Sequence, residues 1–461
     1  MTNNQGPVVD SLLDLIGNTP LVRIRSLDTG PCELYVKLEN QNPGGSIKDR
    51  MALTMIEDAE KKGLLKPGGT IVEATAGNTG LGLALVASQK GYKLVLVIPD
   101  KMSQEKIFHL RAMGAQVVLT RSDVSKGHPE YYMDLARTIA EQRSAYYVNQ
   151  FENSSNPLAH EQTTGPEIWE QMDHRLDAVV AGIGSGGTLT GLSHYFGKVA
   201  PNVDLVLADP IGSVLTDMVK TGKPGTPGPF FVEGIGGSFL PAVGDLSRVK
   251  HAYLISDAES FSTARELLQK EGILCGSSAG TLVAAALRYC REQKKPKRVV
   301  TFICDSGNKY LSKMFNDYWM IDQGFTKRET YGDLRDLIFR RHWEGATVTI
   351  GPDETLNAAY RRMKLYDISQ LPVLDRGKVV GILDESDLLM AATLGSAAFD
   401  SPVRSAMTKV VQTVCISDSF ESLMPVFKQG RVAVVVDKEK FMGLITQIDL
   451  IHFMRSRVGS H

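Results

Sequence analysis

The sequence predicts an α/β protein with parallel sheets covered by helices, followed by a smaller α+β module that contains an internal duplication. Three observations support this fold class. Short, mostly aliphatic runs alternate with helix-like segments over the first ~320 residues. Several of these runs end in glycine-rich turns. Two similar segments of about 60 residues each follow near the C-terminus.

The predicted strands of the first part are mostly apolar on both faces. This pattern is typical of strands that are buried in a parallel sheet between two layers of helices. Ligands of such sheets bind where the strands end, so the residues that follow each strand are the first candidates for function. The predicted strands are Thr70–Ala74, Leu94–Ile98, Gln116–Leu119, Asp177–Ala181, Asp204–Ala208 and Arg298–Ile303.

Composition and charge exclude several classes of function. The chain has 461 residues with 51 basic and 52 acidic side chains, which gives a net charge of −1. This balance provides no field to hold nucleic acid or an anionic membrane, and no apolar run reaches the ~20 residues of a membrane helix. Residues 1–10 lack the pattern of a signal peptide. We expect a cytoplasmic protein that binds neither nucleic acid nor membranes.

The cysteines predict free thiols rather than disulfides or a metal site. Their number is odd, and neither a Cys-x-x-Cys pair nor the spacing of metal ligands occurs. A reducing compartment fits this pattern. The cysteines are Cys32, Cys275, Cys290, Cys304 and Cys415.

The C-terminal part contains a duplication. Val380–Leu388 is similar to Met442–Leu450, 62 residues later, and Leu371–Asp375 is similar to Ala433–Asp437 at the same offset. Because a unit of about 60 residues buries little core alone, the two copies predict a pseudo-twofold pair. A charged stretch precedes this pair and marks a linker. We therefore expect a first domain, a linker and a duplicated module at residues 1–325, 326–345 and 346–461.

Lys48 is the first candidate for chemistry. It follows paired glycines in the segment Asn42–Arg50. A lysine that is partly desolvated at a tight turn can lose its proton and condense with an aldehyde, which is the chemistry of pyridoxal phosphate enzymes. The alternative is a solvated surface lysine, and only the other segments distinguish the two.

A glycine-rich turn, Gly182–Thr188, directly follows a predicted strand and precedes a helix-like segment. Glycines let the backbone close around a dianion, the helix N-terminus adds positive potential, and Thr188 offers a hydroxyl. This pattern predicts a phosphate site. The alternative is a turn that only joins a strand to a helix.

The same turn also matches the dinucleotide fingerprint through Gly182, Gly184 and Gly187, and Asp209 follows at about the distance expected of a ribose-binding carboxylate. A nicotinamide dehydrogenase is therefore an alternative. Three features count against it. Roughly 180 residues precede the turn, whereas the fingerprint normally follows an early strand; Asp209 is followed by Pro210; and Lys48 is left unexplained.

Two further turns precede helices of small residues. Thr75–Gly80 offers backbone N–H groups for a substrate carboxylate, and the Asn78 amide can hydrogen-bond a ring hydroxyl. Cys275–Gly280 contains serines that can contact a ring nitrogen. Alone, each turn is equally consistent with an ordinary helix start.

Together and in this order, these segments and the opening Leu15–Leu21 resemble the fold type II pyridoxal phosphate enzymes, and among them the cystathionine β-synthases, over nearly the whole chain. The resemblance implies that pyridoxal phosphate is the cofactor and that the catalytic Lys48 binds it covalently. Asn78 is then the contact of its 3′-oxygen and Ser278 that of its ring nitrogen. The implied phosphate ligands are Gly184, Ser185, Gly186, Gly187 and Thr188.

The resemblance also implies the reaction, which is β-replacement of serine or cysteine with homocysteine to give cystathionine and water or hydrogen sulfide, in a homodimer or higher oligomer. The alternative within the family is a cysteine synthase that uses O-acetylserine. The segments Ala208–Ser213 and Val232–Gly236 and the duplicated module favour the first. Two residues depart from commoner patterns, Ala76 in place of serine and Phe151 in place of tyrosine. The implied substrate ligands are Thr75, Ala76, Gly77, Thr79, Gln150 and Glu233.

The duplicated module resembles CBS domains, which sense nucleotides. Thr446 and Asp449 match the Thr-x-x-Asp pattern in which the carboxylate binds the ribose hydroxyls, whereas the first copy has Asp384 at the threonine position. We therefore expect at most one adenosyl site, for a ligand such as S-adenosylmethionine. The alternative is a plain strand-to-helix turn in a module that serves only in assembly.

Many relatives in this family begin with a haem-binding extension. Here about ten residues precede the expected start of the catalytic domain at Leu12, and they contain no Cys/His pair. We therefore expect no haem.

Overall fold

The computed structural model describes residues 8–75, 77–100, 104–409 and 411–458, and the chain divides between Thr326 and Lys327 into two units. In the first unit, strands β1 to β10 are Leu21–Arg23, Glu33–Lys37, Thr70–Ala74, Lys93–Pro99, Gln116–Thr120, Tyr146–Tyr147, Ala178–Ala181, Asp204–Pro210, Val249–Ile255 and Arg298–Phe302. Helices α1 to α11 are Lys48–Lys61, Asn78–Lys90, Gln104–Ala112, Tyr132–Gln142, Ser155–Ala159, Gly165–Gln171, Gly187–Val199, Leu215–Thr221, Asp257–Glu271, Ser277–Arg291 and Asp317–Asp322.

The strands of the first unit form two sheets. The six-stranded sheet has the order β1-β2-β10-β7-β8-β9, and all neighbours are parallel except the antiparallel pair β1 and β2. The four-stranded sheet has the order β5-β4-β3-β6 and is parallel throughout. The predicted fold class of parallel sheets covered by helices is confirmed.

Helix α10 lies at the centre of the first unit, and its residues from Ser277 to Leu287 are all buried. Its small residues allow this, since alanine and glycine leave room for close contact with the sheet and with α9. A Cβ on Gly280, for example, would lie 2.0 Å from the Ser260 carbonyl oxygen of α9. The packing fixes the N-terminus of α10, where Ser278 is located.

A buried ion network fixes the start of α1. The Arg50 guanidinium pairs with Glu39 at 2.7 Å and with Glu167 at 2.6 Å, and Lys37 pairs with the other oxygen of Glu167 at 2.8 Å. Although burial acts against it, Arg50 lowers the pKa of Glu167 to about 2. Because Lys37 lies in β2, Glu39 in the helical turn after it and Glu167 in α6, the network anchors the helix that begins at Lys48 to distant parts of the unit.

The second unit contains α12 to α15 at Leu356–Tyr366, Glu385–Thr393, Leu423–Lys428 and Gln447–Val458, and β11 to β15 at Gln370–Asp375, Lys378–Asp384, Thr413–Cys415, Ala433–Asp437 and Lys440–Ile445. One sheet with the order β11-β12-β15-β14-β13 joins both copies of the repeat. The pairs β11/β12 and β14/β15 carry a bulge at matching positions, after Val373 and after Val435. Side chains of the predicted linker, Leu334 and Ile338 among them, are buried in the core of this unit.

All five cysteines are free thiols. In the described part of the chain, no helix combines the length and the apolar character that crossing a membrane requires.

Candidate active site

A cavity lies where loops from both sheets of the first unit meet. It gathers the lysine at the start of α1, the amide at the start of α2, the glycine turn before α7 and the serine at the start of α10. Its walls are completed by apolar side chains and by Cys304, which follows β10. Of the residues predicted from sequence, the cavity brings together Lys48, Asn78, Gly184, Gly186, Thr188 and Ser278.

Lys48 is the first residue of α1, and the chain before it is tied to the segment after β10. The Ile47 amide donates to the Cys304 carbonyl at 2.9 Å, and Ser46 forms a bridge with Asp305. Burial lowers the pKa of Lys48, although Cys304 and Asp305 oppose the shift. Burial also raises the pKa of Cys304 to about 12, so that this thiol stays neutral and provides no counter-charge at neutral pH. The Lys48 amine is thereby prepared for nucleophilic and basic chemistry.

The glycine turn closes tightly, and side chains cannot replace its glycines. Gly186 has φ +92°, which favours glycine. A Cβ on Gly184 would lie 2.2 Å from the Gly234 carbonyl oxygen, and one on Gly187 would lie 1.8 Å from Asn156 Oδ1. Within the described residues, the amides from Gly184 to Thr188 donate to no protein acceptor. These unused donors at the start of α7 fit a phosphate group.

Two residues that the sequence did not indicate support this turn. Asn156 donates to the Ser185 hydroxyl at 3.1 Å and to the Gln150 carbonyl at 2.8 Å. His160 lies between Thr164 and Thr188, at 3.0 and 3.3 Å from their hydroxyls. Burial holds the pKa of His160 well below its usual range, so that the ring is neutral.

Asn78 is held by an acidic and a basic residue that the sequence did not indicate. Its Nδ2 donates to Asp305 at 2.8 Å, and its Oδ1 accepts from Lys309 at 2.5 Å. Asp305 is buried and lies three residues after the end of β10, so its place beyond the carboxyl end of a strand was a usable indication. Ser278 is a hydrogen-bond partner of the neighbouring Cys304 thiol.

The loop that contains Thr75 and Thr79 contacts Gln150. Thr79 donates to Gln150 Oε1 at 2.8 Å, and the Thr75 hydroxyl accepts from the Gly77 amide at 3.2 Å. Gln150 Nε2 donates to Glu73, a buried acid on β3. Burial raises the pKa of Glu73 to about 8. Ala76 lies outside the described residues.

A second cavity adjoins the first, and the two share Asn78 and Gly234. Its walls carry the ammonium groups of Lys106 and Lys309 and the carboxylate of Glu233. Glu233 pairs with Lys106 and, at 2.7 Å, with Lys313. Burial alone would raise the pKa of Glu233, but the two lysines outweigh it and lower the pKa. Glu233 is therefore an ionised wall residue, and its carboxyl is unsuited to act as a general acid.

Comparison with known proteins identifies the first unit. Residues 12–305 match the family model described as pyridoxal-phosphate dependent enzyme. The chain belongs to this family. Residues 346–393 and 403–456 match the CBS domain model, so the second unit contains the predicted pair of CBS domains.

Individual relatives agree with this assignment. Cystathionine beta-synthase from Oryctolagus cuniculus is 35% identical over 98% of this chain and 86% of its own length. Cysteine synthase from Staphylococcus aureus is 42% identical over 66% of this chain and 96% of its own length. The crystal structure of an O-acetylserine dependent cystathionine beta-synthase from Helicobacter pylori superposes with a TM-score of 0.62 at 38% identity, and the match covers 67% of this chain and 99% of that one.

The protein is thus a pyridoxal phosphate-dependent lyase that catalyses β-replacement, and the predicted likeness to cystathionine β-synthases is confirmed. The residues fit the cofactor, since unused backbone donors face the cavity at one end and a desolvated amine and a hydroxyl face it at the other. The dinucleotide alternative is wrong for this family. Asp209 instead accepts hydrogen bonds from the Thr216 amide and hydroxyl, at 2.8 and 3.0 Å.

The CBS domain pair has a cavity of about 450 Å³ that includes both predicted residues of the adenosyl site, Thr446 and Asp449. The Thr446 amide and hydroxyl donate to Asp449 Oδ2 at 2.7 and 2.6 Å. Arg340 also lines the cavity, and the sequence did not indicate it. The first copy has a similar turn, in which the Asp384 and Asp387 side chains each accept the other residue's amide at 3.0 Å.

Proposed function

We propose that this enzyme replaces the β-hydroxyl of serine, or the thiol of cysteine, with homocysteine, and releases cystathionine together with water or hydrogen sulfide. The observation that carries the proposal is the second cavity, which opens beside Asn78 and Gly234 and is lined by Lys106, Lys309 and Glu233.

The charges of this cavity favour a large nucleophile. Homocysteine carries an ammonium and a carboxylate group, and the walls offer partners for both, two lysines and one glutamate. Sulfide, the nucleophile of a cysteine synthase, has no such groups, so the charged walls of the second cavity would not strengthen its binding. A neutral or apolar wall would serve it equally well.

Similarity over the full length supports the same conclusion. The likeness to cystathionine beta-synthases extends through the CBS domain pair, whereas the likeness to cysteine synthase covers only 66% of the chain.

Lys48 has two roles in this proposal. Its amine would hold the cofactor covalently, and once free, Nζ would take the α-proton of the bound amino acid. The lowered pKa keeps this nitrogen able to accept a proton. The resulting ammonium would protonate the departing hydroxyl or thiolate on the same side. When homocysteine adds, Nζ would accept the proton that its thiol loses and return it to the α-carbon. Bound pyridoxal phosphate supplies the electron sink that makes the α-proton acidic and the β-substituent a leaving group.

The other residues hold the reactants in place. The turn from Gly184 to Thr188 binds the phosphate through its amides and hydroxyls. Ser278 faces the ring nitrogen with a neutral hydroxyl, which does not enforce a protonated ring and so favours loss of the β-substituent over transamination. The substrate carboxylate is bound by Gln150 and by the loop that contains Thr75, Gly77 and Thr79, and Ala76 removes one hydroxyl from that loop.

A second candidate is β-replacement on O-acetylserine. Two observations favour it, the 42% identity to a cysteine synthase and the 38% identity to an O-acetylserine dependent cystathionine beta-synthase. The O-acetylserine dependent cystathionine beta-synthase differs from our proposal only in the leaving group, whereas a cysteine synthase also differs in the nucleophile. O-acetylserine with homocysteine is therefore the closest variant of our proposal.

The test is a matrix of donors and nucleophiles with the purified full-length protein. Serine and O-acetylserine are each combined with homocysteine or with sulfide, and cysteine is combined with homocysteine only, because cysteine and sulfide would regenerate cysteine. kcat/KM is measured from the amino-acid product. We expect the highest kcat/KM for serine or cysteine with homocysteine. A preference for O-acetylserine with sulfide over every homocysteine reaction would assign the protein as a cysteine synthase.

We further propose that the CBS domain pair binds one adenosyl ligand at Thr446 and Asp449, and that the protein is a homodimer. The cavity of about 450 Å³ has the size of a small-molecule site, and Asp449 Oδ2 is held by Thr446 so that the carboxylate has a fixed direction. Isothermal titration calorimetry with S-adenosylmethionine tests the first point, with ATP as the phosphate-bearing comparison because Arg340 lines the wall. Light scattering tests the second.

A further inference from the structure

We propose that Lys309 and Asp305 are positioning residues that fix the side-chain amide of Asn78 in one orientation, with its nitrogen toward the cofactor ring. The contact of Asn78 with the 3′-oxygen rests on the family resemblance. The clamp around Asn78 rests on contacts in this structure.

The chemistry of the two partners determines the orientation of the amide. Lys309 Nζ lies 2.5 Å from one terminal atom of Asn78, and an ammonium group has donors only, so that atom is the oxygen. Asp305 Oδ2 lies 2.8 Å from the other terminal atom, which is therefore the nitrogen. A flipped amide would place its NH₂ against the ammonium and its oxygen against the carboxylate. Each partner opposes the flip independently.

The clamp leaves Asn78 with one free polar group. Its oxygen is used by Lys309 and one Nδ2 hydrogen is used by Asp305, so that the second Nδ2 hydrogen remains for the cavity that Asn78 lines. Asn78 then presents a donor to the ring oxygen, because its own oxygen is turned toward Lys309. A donor favours the deprotonated form of that oxygen, because the negative charge accepts the stronger hydrogen bond.

Asp305 is itself held by its surroundings. Tyr310 donates to the same Oδ2 at 2.9 Å, and the Gly276 amide donates to the Asp305 carbonyl at 3.1 Å. The other carboxylate oxygen packs on Gly276, where a Cβ would lie only 1.9 Å away. Gly276 immediately precedes α10 and lies two residues before Ser278. The residue that orients Asn78 therefore also supports the loop that presents the ring-nitrogen serine.

The experiment measures cofactor binding rather than turnover. Full-length Lys309→Met, Lys309→Arg and Lys62→Met are stripped of cofactor and titrated with pyridoxal phosphate, and the visible absorption of the reconstituted protein is recorded against pH. Lys62 is the matched control, since it is an exposed lysine in an ion pair at the end of α1. No second substrate is present, so any contribution of Lys309 to homocysteine binding does not enter.

We expect Lys309→Met to weaken cofactor binding about tenfold, the loss of one hydrogen bond to a charged group. Its visible absorption is expected to shift toward the form with a protonated ring oxygen. Lys309→Arg retains a donor and is expected to stay within about twofold of the parent. Lys62→Met is expected to match the parent. If Lys309→Met does not fold, Lys309→Gln, which keeps a donor on a shorter side chain, is expected to show a smaller weakening.

The double variant Asn78→Ala with Lys309→Met decides whether Lys309 acts through the amide. In the Asn78→Ala background, removing the lysine is expected to change neither affinity nor absorption further. Two results would overturn the proposal. One is an unaltered affinity and spectrum in Lys309→Met or its Gln replacement. The other is an equally large loss in both backgrounds, which would mean that the lysine acts on the cofactor directly.

Discussion

The two units of this protein build their candidate sites in opposite ways. In the first unit, Lys48 shares a cavity with residues from five separate segments, and the contacts that hold it, such as Asn78 with Asp305, join distant parts of the sequence. In the CBS domain pair, the turn at Thr446 is made by four consecutive residues, and the first copy forms a similar turn at Asp384. Convergence of distant segments is therefore the better evidence for a binding site, because a local turn forms whether or not it binds a ligand.

Replacing Lys48, on which the distant segments converge, is expected to have the largest effect on activity. Lys48→Ala removes both the covalent attachment and the proton acceptor, so cystathionine formation should fall by at least about 10³-fold, with loss of the cofactor's visible absorption. Activity assays and absorption spectra check this. The control is Lys62→Ala on the same helix, whose lysine only pairs with Asp58. Retained activity in Lys48→Ala would disprove the assignment of the site.

Disrupting a close contact in the glycine turn is expected to have the next largest effect, on cofactor affinity. In Gly187→Ala the new Cβ would meet Asn156 Oδ1 at 1.8 Å, so the turn must open and lose its phosphate contacts. Cofactor affinity, measured by titration of the stripped protein, should fall by about tenfold or more. Gly228→Ala is the matched control, because its Cβ makes only an ordinary contact with Gly212 at 3.4 Å. Equal affinities in the two variants would contradict the assignment of the glycine turn as the phosphate site.

The pH dependence of stability tests whether Glu73, the buried acid that contacts Gln150, is protonated in the folded protein. The pKa of Glu73 is raised from its ordinary 4.5 to about 8 in the folded protein, so between these pH values the unfolded chain releases a proton that the folded chain keeps. Rising pH therefore destabilises the fold in this window, and Glu73→Gln removes the penalty.

We expect the free energy of unfolding of Glu73→Gln to gain more than about 1 kcal/mol over the parent between pH 5 and pH 8. Urea denaturation of both proteins at the two pH values measures it. A difference between the two proteins that does not change with pH would mean that Glu73 is ionised in the fold.

The smallest effects are expected in the local turns of the CBS domain pair. Asp449→Ala and Asp387→Ala each remove a similar helix-start contact, and each should cost about 1 kcal/mol of unfolding free energy. Only Asp449→Ala should abolish the heat of S-adenosylmethionine binding. Binding that survives in Asp449→Ala, or that is lost in Asp387→Ala, would show that the two turns do not differ as proposed.

The same contrast explains what the sequence could predict. Strands β3 and β5 were predicted to within a residue, and Lys48 and the glycine turn were recognised, because each depends on a short local pattern. The likeness to a known family then supplied the order of the segments. Asp305 and Lys309 escaped notice because their partner Asn78 is more than 200 residues away in the chain. His160 and Asn156 were not predicted, because they lie in helical segments whose sequence resembles that of ordinary buried helices.

Some of these missed residues had a visible indication. Glu73 is an acid inside an otherwise apolar strand, and Asp305 follows a strand at the edge of the sheet where ligands bind. For Glu233 the sequence gave no such indication. It lines a cavity together with Gly77 and Asn78, but nothing in the sequence pointed to the two lysines that keep it ionised.

The hydrogen bond between Ile47 and Cys304 also has a consequence for folding during synthesis. The lysine loop is synthesised early, but the segment that anchors it is among the last of the first unit to leave the ribosome. Contacts of such high sequence separation form late, because loop closure must precede them. The nascent chain therefore carries Lys48 on an unanchored loop until nearly the whole unit has emerged. The complete cavity around Lys48 therefore forms only after nearly the whole unit has been synthesised.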